Sequence, residues 1–206
     1  MQKDKNNAAE ESVIIPAEYW DTRYLNNEAG WDMHQVSPPL KSYIDTIKDK
    51  DLKILIPGCG NAYEAEYLLE KGFTNVTLID ISKVVTARLK EKYKEQPVRI
   101  VNENFFDHEG KYDLILEQTF FCTFHPSLRT KYAENCYRLL NPKGKIAGVF
   151  FNKKLFGTEP PYIGTDEEYK KVFAPLFIFN LYEDCKNSIG PRQGNEVIFE
   201  FEKKIK

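Results

Sequence analysis

Residues 53–60, Lys-Ile-Leu-Ile-Pro-Gly-Cys-Gly, and residues 76–80, Val-Thr-Leu-Ile-Asp, decide the fold. The first is a short apolar run that ends in two glycines, and the second is an apolar run that ends in an acid. Short apolar runs bounded by turn residues are typical of buried strands. Between them, Asn61 and Glu64 have the spacing of a capping box, and Gly72 is placed to end the helix that the box opens. The pattern predicts strand, glycine loop, helix and strand in succession.

The same alternation continues along the chain. Strands are predicted at 98–101, 112–117 and 146–151, helices from Ser82 to about Tyr93 and from Pro126 through Leu140, and a turn at 141–144. This spacing is typical of a parallel α/β sheet. The runs 176–182 and 196–201 have no helix between them, so they predict an antiparallel hairpin at the sheet edge. We expect an α/β fold with a mostly parallel seven-stranded sheet and helices on both faces.

The N-terminal part is organised differently. Residues 1–12 are polar and charged, and we expect a flexible leader before one domain at 13–206. Within 13–49, a short helix after Pro16 and a helix at 38–49, capped by Ser37, are predicted. The leader resembles neither a signal peptide nor a transit sequence, which predicts a cytoplasmic location. Widely spaced cysteines fit free thiols there rather than disulfides or a metal site, and they are Cys59, Cys122, Cys136 and Cys185.

The composition excludes two classes of partner. The 206 residues include 29 Lys and Arg and 31 Asp and Glu, which gives a formal net charge of −2. Proteins that bind nucleic acid by neutralising phosphates are basic, so we expect no such partner. No apolar run approaches the roughly 18–20 residues that span a bilayer, so we expect no membrane partner. A monomer is the expected state, with an oligomer left open.

The glycine loop predicts the ligand site. In an open parallel sheet, ligands bind outside the carboxyl ends of the strands. Gly58 and Gly60 let a ligand approach the backbone, and the following helix offers amides to an anion. Asp80 ends the next strand and can accept hydrogen bonds from both hydroxyls of a ribose. The combination predicts an adenosine-containing ligand.

Two further residues bear on which ligand this is. The dinucleotide fingerprint places a third glycine three residues after Gly60, where this chain has Tyr63. That substitution weakens the interpretation as a nicotinamide oxidoreductase, which stays an alternative. S-adenosylmethionine has a small carboxylate in place of a pyrophosphate, and the loop amides can serve it. Asn104 beside the apolar Phe105 suits the edge and face of adenine.

Several motifs carry a resemblance to a known family. They are Trp20, Tyr24, Trp31-Asp32, Pro57-Gly58-Cys59-Gly60, Leu78-Ile79-Asp80-Ile81-Ser82, Asn104-Phe105-Phe106, Phe120-Phe121-Cys122, Tyr137-Arg138-Leu139-Leu140-Asn141-Pro142-Lys143-Gly144 and Pro160-Pro161-Tyr162. With them, residues 19–206 resemble the thiopurine S-methyltransferase family of class I S-adenosylmethionine-dependent methyltransferases. The similarity is closest to its thiol and halide methyltransferase branch.

The resemblance implies a Rossmann-like methyltransferase fold and S-adenosylmethionine as cofactor, with S-adenosylhomocysteine as product. It implies cofactor contacts, together with the loop glycine Gly60, at Trp20, Tyr24, Trp31, Gly58, Asp80, Asn104, Phe105 and Gln118. Tyr24 and Gln118 depart from the family pattern, and Asn104 replaces an acid of the plant proteins. Contacts to the methyl acceptor are expected at Phe121, Tyr162 and Arg192.

The expected reaction is methyl transfer to a small-molecule nucleophile, namely a thiol, sulfide, thiocyanate or halide. It proceeds by in-line displacement and needs no essential general base, so we expect no catalytic residue and no metal. Orientation and exclusion of water supply the rate enhancement. The alternatives are a thiopurine, oxyanion or natural-product methyltransferase with a bulkier acceptor, and a non-catalytic S-adenosylmethionine-binding module.

Overall fold

The computed structural model of the chain describes residues 14–153 and 160–205. Within those ranges it contains seven strands and six α-helices. In chain order the elements are α1 (Ala17–Leu25), α2 (Pro38–Thr46), β1 (Ile54–Pro57), α3 (Tyr63–Glu70), β2 (Val76–Asp80), α4 (Lys83–Lys92), β3 (Val98–Asn102), β4 (Tyr112–Gln118), α5 (Arg129–Leu139), β5 (Leu140–Phe151), α6 (Asp166–Phe173), β6 (Phe177–Asp184) and β7 (Glu196–Lys203). The predicted leader at 1–12 lies outside the described residues.

The strands form one sheet in the order β3-β2-β1-β4-β5-β7-β6. Strands β1 to β5 run parallel, whereas β7 is antiparallel to both β5 and β6. The predicted fold class, including the antiparallel C-terminal pair with β6 at the edge, is confirmed. The strand order reverses between β1 and β4, and a crevice opens at such a point in doubly wound sheets.

Helices cover both faces of the sheet and bury its central strands. All residues of β1 and β2 are buried, as expected for strands covered on both sides. One face carries an aromatic cluster in which the rings of Phe150 and Phe199 stack 4.0 Å apart. The other face is mainly aliphatic, with Leu40, Ile54 and Leu68 fully buried. Among the described helices, none has the length and apolar character needed to cross a membrane.

The predicted capping box at the start of α3 is wrong. Ala62 occupies the cap position with φ +58° and makes no side-chain cap. The Asn61 amide donates instead to the carboxylate of Asp32, 29 residues away in sequence. The Glu64 carboxyl is buried and accepts from the backbone N–H of Ser37. Tertiary partners thus replace the local ones that the spacing indicated.

Other local predictions shift by a few residues. Ser82 caps α4 as expected, accepting from the Val85 N–H at 3.1 Å, whereas Ser37 makes no side-chain cap. Helix α2 ends at Thr46, because Ile47 is extended although it still packs on the core. Pro126 opens a short 3₁₀ turn, and α5 begins only at Arg129.

The predicted turn at 141–144 lies inside β5. There the pairing with β4 shifts between Leu140 and Lys145. Lys143 adopts φ +62°, so the turn chemistry appears as an irregularity within a strand.

Candidate active site

A cavity of about 520 Å³ lies at the carboxyl ends of β1, β2 and β4, beneath α1 and the loop that follows it. Ligand pockets in proteins are typically about 300–1,000 Å³. All nine residues predicted to contact the cofactor line it, namely Trp20, Tyr24, Trp31, Gly58, Gly60, Asp80, Asn104, Phe105 and Gln118. The sheet topology accounts for this convergence, since several of them end neighbouring strands.

The glycine loop requires glycine for conformation and for space. Gly58 and Gly60 adopt φ +56° and +50°, in the left-handed region where side chains are disfavoured. A Cβ atom on Gly58 would lie 2.0 Å from Cδ2 of Phe120. One on Gly60 would lie 2.8 Å from the hydroxyl oxygen of Tyr24. The loop is therefore packed between the turn after β4 and the N-terminal helix.

The Asp80 carboxylate organises the loop from the end of β2. Its Oδ2 accepts from the Gly60 N–H at 3.0 Å, and its Oδ1 accepts from the Ser82 N–H at 2.9 Å. Burial raises the pKa of Asp80 to about 6, opposed by these two N–H donors and assisted by nearby Asp21. At neutral pH the group is a buried carboxylate on the cavity wall.

Helix α1 docks on the N-terminus of α4. Asp21 accepts from the Ser82 hydroxyl and from the Val84 N–H, the latter at 3.1 Å. The first turn of a helix offers unpaired N–H groups and a positive dipole end, both of which favour a carboxylate. Arg88 of α4 also donates to the carbonyl of Tyr24 at 3.0 Å. These contacts form a latch, defined by Asp21 and Arg88, that holds α1 over the cavity.

The loop after α1 is held by residues from distant parts of the chain. Asp32 accepts from Asn61 and from the Tyr63 hydroxyl, the latter at 3.2 Å. Tyr63, at the position of the fingerprint's third glycine, therefore anchors this loop. Arg192 donates to the carbonyl of Trp31 at 2.8 Å. The Trp31-Asp32 motif is visible in the sequence, but these partners are not.

Three aromatic residues form the wall that α1 and its loop contribute. The ring of Trp31 meets Trp20 edge-on at 5.4 Å and Tyr24 edge-on at 5.8 Å between centroids. Its indole N–H also donates to the Tyr24 hydroxyl. Because Tyr24 is buried, the cluster is packed into the protein and also covers the cavity.

The loop after β3 gives the cavity an apolar and a polar surface. Phe105 is buried and contributes an aromatic wall. The Asn104 side-chain oxygen already accepts from the Phe106 N–H at 3.0 Å, so this residue also shapes its own turn. Glu103 lines the cavity and pairs with the buried His108, whose other ring nitrogen contacts the Tyr112 hydroxyl at 2.7 Å.

The turn after β4 brings an unsatisfied acceptor to the cavity. The Gln118 amide donates to the Thr119 hydroxyl at 2.8 Å, but its oxygen Oε1 is buried without a hydrogen-bond partner. Glu117 fixes the turn, since its Oε1 accepts from the N–H groups of Phe120 and Phe121, both at 2.8 Å. Burial raises the pKa of Glu117 to about 7. Sequence reasoning missed Glu117 because the motif shows only an acid ending a strand.

Two of the residues expected to contact the acceptor, Phe121 and Tyr162, are not among the described residues that line the cavity. Phe121 does not line the cavity, because it points into the aromatic core, where its ring lies 4.8 Å from that of Phe150. Its neighbour Phe120 lines the cavity instead. Tyr162 is likewise outside the lining and packs edge-on against His125 at 5.5 Å.

Arg192 lines the cavity, but its guanidinium already holds several partners within the protein. It donates to the Thr119 hydroxyl at 3.0 Å and to Glu196 at 3.1 Å, besides the Trp31 carbonyl. Thr119 and Trp31 also line the cavity, so Arg192 joins the turn after β4 to the loop after α1.

The known proteins that this chain resembles are described as methyltransferases. The family whose sequence pattern matches residues 15–206 is described as Thiopurine S-methyltransferase. "Probable thiol methyltransferase 2" of Arabidopsis thaliana is 30% identical over 191 residues, covering 89% of this chain and 84% of the relative. "Thiocyanate methyltransferase 1" of the same plant is 26% identical over 191 residues, with coverage of 89% and 84%.

A solved structure has the same fold. It is the 1,6-didemethyltoxoflavin-N1-methyltransferase of Burkholderia thailandensis with bound 1,6-didemethyltoxoflavin and S-adenosylhomocysteine. It superposes with a TM-score of 0.74 at 18% identity, covering 92% of this chain and 87% of that one. At this identity the likeness concerns the fold alone.

Proposed function

The chain belongs to the thiopurine S-methyltransferase family and is an S-adenosylmethionine-dependent methyltransferase, and from this premise we propose that its acceptor is a small, already anionic nucleophile. The chemical class is a thiolate, hydrosulfide, thiocyanate or halide. Relatives described as thiol and thiocyanate methyltransferases support this class. Family membership also removes the nicotinamide oxidoreductase alternative.

The residues on the cavity wall fit the cofactor. Among the described lining residues, acids outnumber guanidinium groups, with Glu28, Asp32, Glu64, Asp80 and Glu103 against Arg23 and Arg192. This balance suits a cofactor with a sulfonium and an ammonium cation but one carboxylate. We assign binding of the ribose hydroxyls to Asp80 and binding of the cation to the unpaired Gln118 oxygen. We assign to Gly58 and Gly60 the backbone that the cofactor approaches. When bound, S-adenosylmethionine supplies a methyl group activated by the positive charge of its sulfonium.

One observation carries the proposal about the acceptor. No histidine is among the described residues that line the cavity. Burial raises the pKa of Cys59 well above its ordinary value and that of Cys122 to about 12, so neither thiol ionises at neutral pH. An acceptor that already carries negative charge needs no base, which matches this wall.

The acids on the wall are also occupied. Asp32, Asp80 and Glu103 each hold hydrogen-bond partners within the protein. Glu64 is buried and accepts backbone N–H groups, while burial raises its pKa. Glu28 is exposed and lies 3.5 Å from the Asn26 amide. What the residues supply is orientation and exclusion of water by the aromatic wall, and well-oriented reactants gain roughly 7–11 kcal/mol of the barrier.

The acceptor is tested by comparing kcat/KM across a panel in an S-adenosylhomocysteine assay. Thiocyanate, iodide, hydrosulfide and a small alkyl thiol are compared with 6-mercaptopurine, a bulky heteroaromatic thiol. The small anions should exceed 6-mercaptopurine by at least ten-fold, with rates flat in pH for thiocyanate above neutrality. For an alkyl thiol the rate should rise towards its pKa of about 8.5. Preference for 6-mercaptopurine would establish the bulkier alternative.

Replacing Asp80 by asparagine is expected to weaken S-adenosylhomocysteine binding at least about ten-fold, since hydrogen bonds to a charged group contribute about 1.5–3 kcal/mol each. The carboxylate binds in its ionised form, and its pKa is about 6. Affinity of the unmodified protein should therefore fall as the pH drops through 6, and the variant should lose this dependence. Titration calorimetry at several pH values measures both effects.

The exposed Asp107→Asn, which removes the same charge away from the cavity, is the control and should bind normally. Equal affinity in Asp80→Asn and Asp107→Asn would show that the ribose site lies elsewhere.

The replacement His125→Ala should lower kcat by less than ten-fold, against the roughly 10²–10⁴-fold typical of a lost general base. His125 contacts Ser127 at 2.9 Å and Tyr162, away from the cavity wall. His34→Ala should behave alike, because the His34 side chain is 85% exposed. Steady-state kinetics with thiocyanate check this, and a thousand-fold loss in a folded variant would require base catalysis.

A further inference from the structure

Arg23 brings a second, uncommitted guanidinium to the cavity. It lies in the last turn of α1 and lines the cavity. Its Nε is buried and has no hydrogen-bond partner. The contact of its guanidinium is the ring of Tyr19, 4.8 Å from the centroid. A buried donor without a partner costs free energy unless a ligand satisfies it.

Three backbone amides of the glycine loop already hold acceptors within the protein. The Cys59 N–H donates to the carbonyl of Ile79 at 3.1 Å, and the Gly60 N–H donates to Asp80. The Ala62 N–H turns back to the carbonyl of Cys59 at 2.8 Å. Those three N–H groups are therefore not free to bind the carboxylate of the cofactor.

The other guanidinium on the wall is also unavailable. Arg192 holds Thr119, Glu196 and the Trp31 carbonyl, and it is buried at 8% exposure. Of the cationic side chains among the described lining residues, Arg23 alone has a buried donor without a partner. An arginine fork matches a carboxylate geometrically and forms strong charge-assisted pairs with it.

We propose that Arg23 is the carboxylate-binding residue of the cofactor site. This assignment rests on the proposed function, because it needs S-adenosylmethionine in this cavity. Arg23 belongs to α1, so the ion pair would attach the cofactor to the helix that covers it. Cofactor binding and closure of α1 would then stabilise one another.

The test compares two ligands that differ only in the carboxylate. Calorimetry measures the Kd of S-adenosylhomocysteine and of its decarboxylated analogue for the unmodified protein, Arg23→Gln and Arg23→Lys. The unmodified protein should prefer S-adenosylhomocysteine by at least about ten-fold, as expected for a charge-assisted pair. Arg23→Gln should abolish that preference while binding the analogue normally, and Arg23→Lys should keep part of it.

Controls separate the possible failures. Glu18→Gln removes an exposed charge from the same helix and should preserve the preference, and thermal unfolding without ligand shows whether each variant is folded. A persistent preference in Arg23→Gln overturns the assignment while leaving the proposed function intact. If Arg23→Gln raises the KM for thiocyanate alone, with both Kd values unchanged, the guanidinium binds the acceptor and the assignment is wrong. Failure of the unmodified protein to bind either ligand overturns the proposed function instead.

Discussion

Replacing Gly58 by alanine is expected to lower kcat/KM at least about 100-fold while the fold survives. The φ of +56° at Gly58 disfavours any side chain, by about 1–2 kcal/mol in the left-handed region. The new Cβ would also lie 2.0 Å from Cδ2 of Phe120. That ring cannot retreat freely, since it packs 5.4 Å from Phe105 and 4.8 Å from Phe124. Forcing atoms into a packed site costs about 1–3 kcal/mol more.

Two matched variants separate strain from overlap. Gly190 has φ +55° with nothing within 4 Å of a Cβ, so Gly190→Ala carries the strain without the clash. Gly30 lines the same cavity and has open space, so Gly30→Ala carries neither. Both should retain activity within about ten-fold. Steady-state kinetics and thermal unfolding check the series, and a Gly58→Ala enzyme as active as Gly190→Ala would contradict the packing of the loop against Phe120.

Undocking α1 should have an effect of similar size. In Asp21→Ala/Arg88→Ala the Ser82 hydroxyl, the Val84 N–H and the Tyr24 carbonyl lose their partners. Hydrogen bonds to charged groups contribute about 1.5–3 kcal/mol each. The equilibrium constant for docking α1 over the cavity should therefore fall by at least about 100-fold. We expect kcat/KM to fall by that factor, with a faster dissociation of S-adenosylhomocysteine.

The control is Lys90→Ala, an exposed residue of α4, which should leave both rates unchanged. The dissociation rate of S-adenosylhomocysteine is measured by stopped flow through the fluorescence of Trp20 and Trp31, which reports directly on α1 and its loop. An unchanged dissociation rate of S-adenosylhomocysteine in the double variant would mean that the latch does not hold α1 over the cavity, whatever the effect on turnover.

The fold was readable from the sequence because its signals are local. The apolar runs before Gly58 and Asp80 and the cap at Ser82 depend on neighbouring residues, and the structure keeps all of them. Topology then brings strand ends together, so residues at those ends could be named as site residues without knowing a single contact. This is why Gly58 and Asp80 lie on the same cavity.

The rest depends on contacts between distant segments. Asn61 has the spacing of a cap, but Asp32 offers it a charged acceptor from the loop after α1. Phe120 rather than Phe121 lines the cavity because of the conformation at the start of a 3₁₀ turn that Glu117 fixes. The roles of Asp21 and Arg23 depend on where α1 packs. A motif could not distinguish these roles, since each requires knowing the partner.

The proposed acceptor of the methyl group of S-adenosylmethionine is a small anionic nucleophile. The most direct measurement uses S-adenosylmethionine with a deuterated methyl group, incubated with thiocyanate, hydrosulfide or iodide in turn. Mass spectrometry then measures the methylated product and S-adenosylhomocysteine together. We expect a deuterated methyl product from at least one of these anions, in equal amount to S-adenosylhomocysteine, and we expect Gly58→Ala to lose it. Labelling of 6-mercaptopurine while none of these anions is methylated would contradict this choice of acceptor.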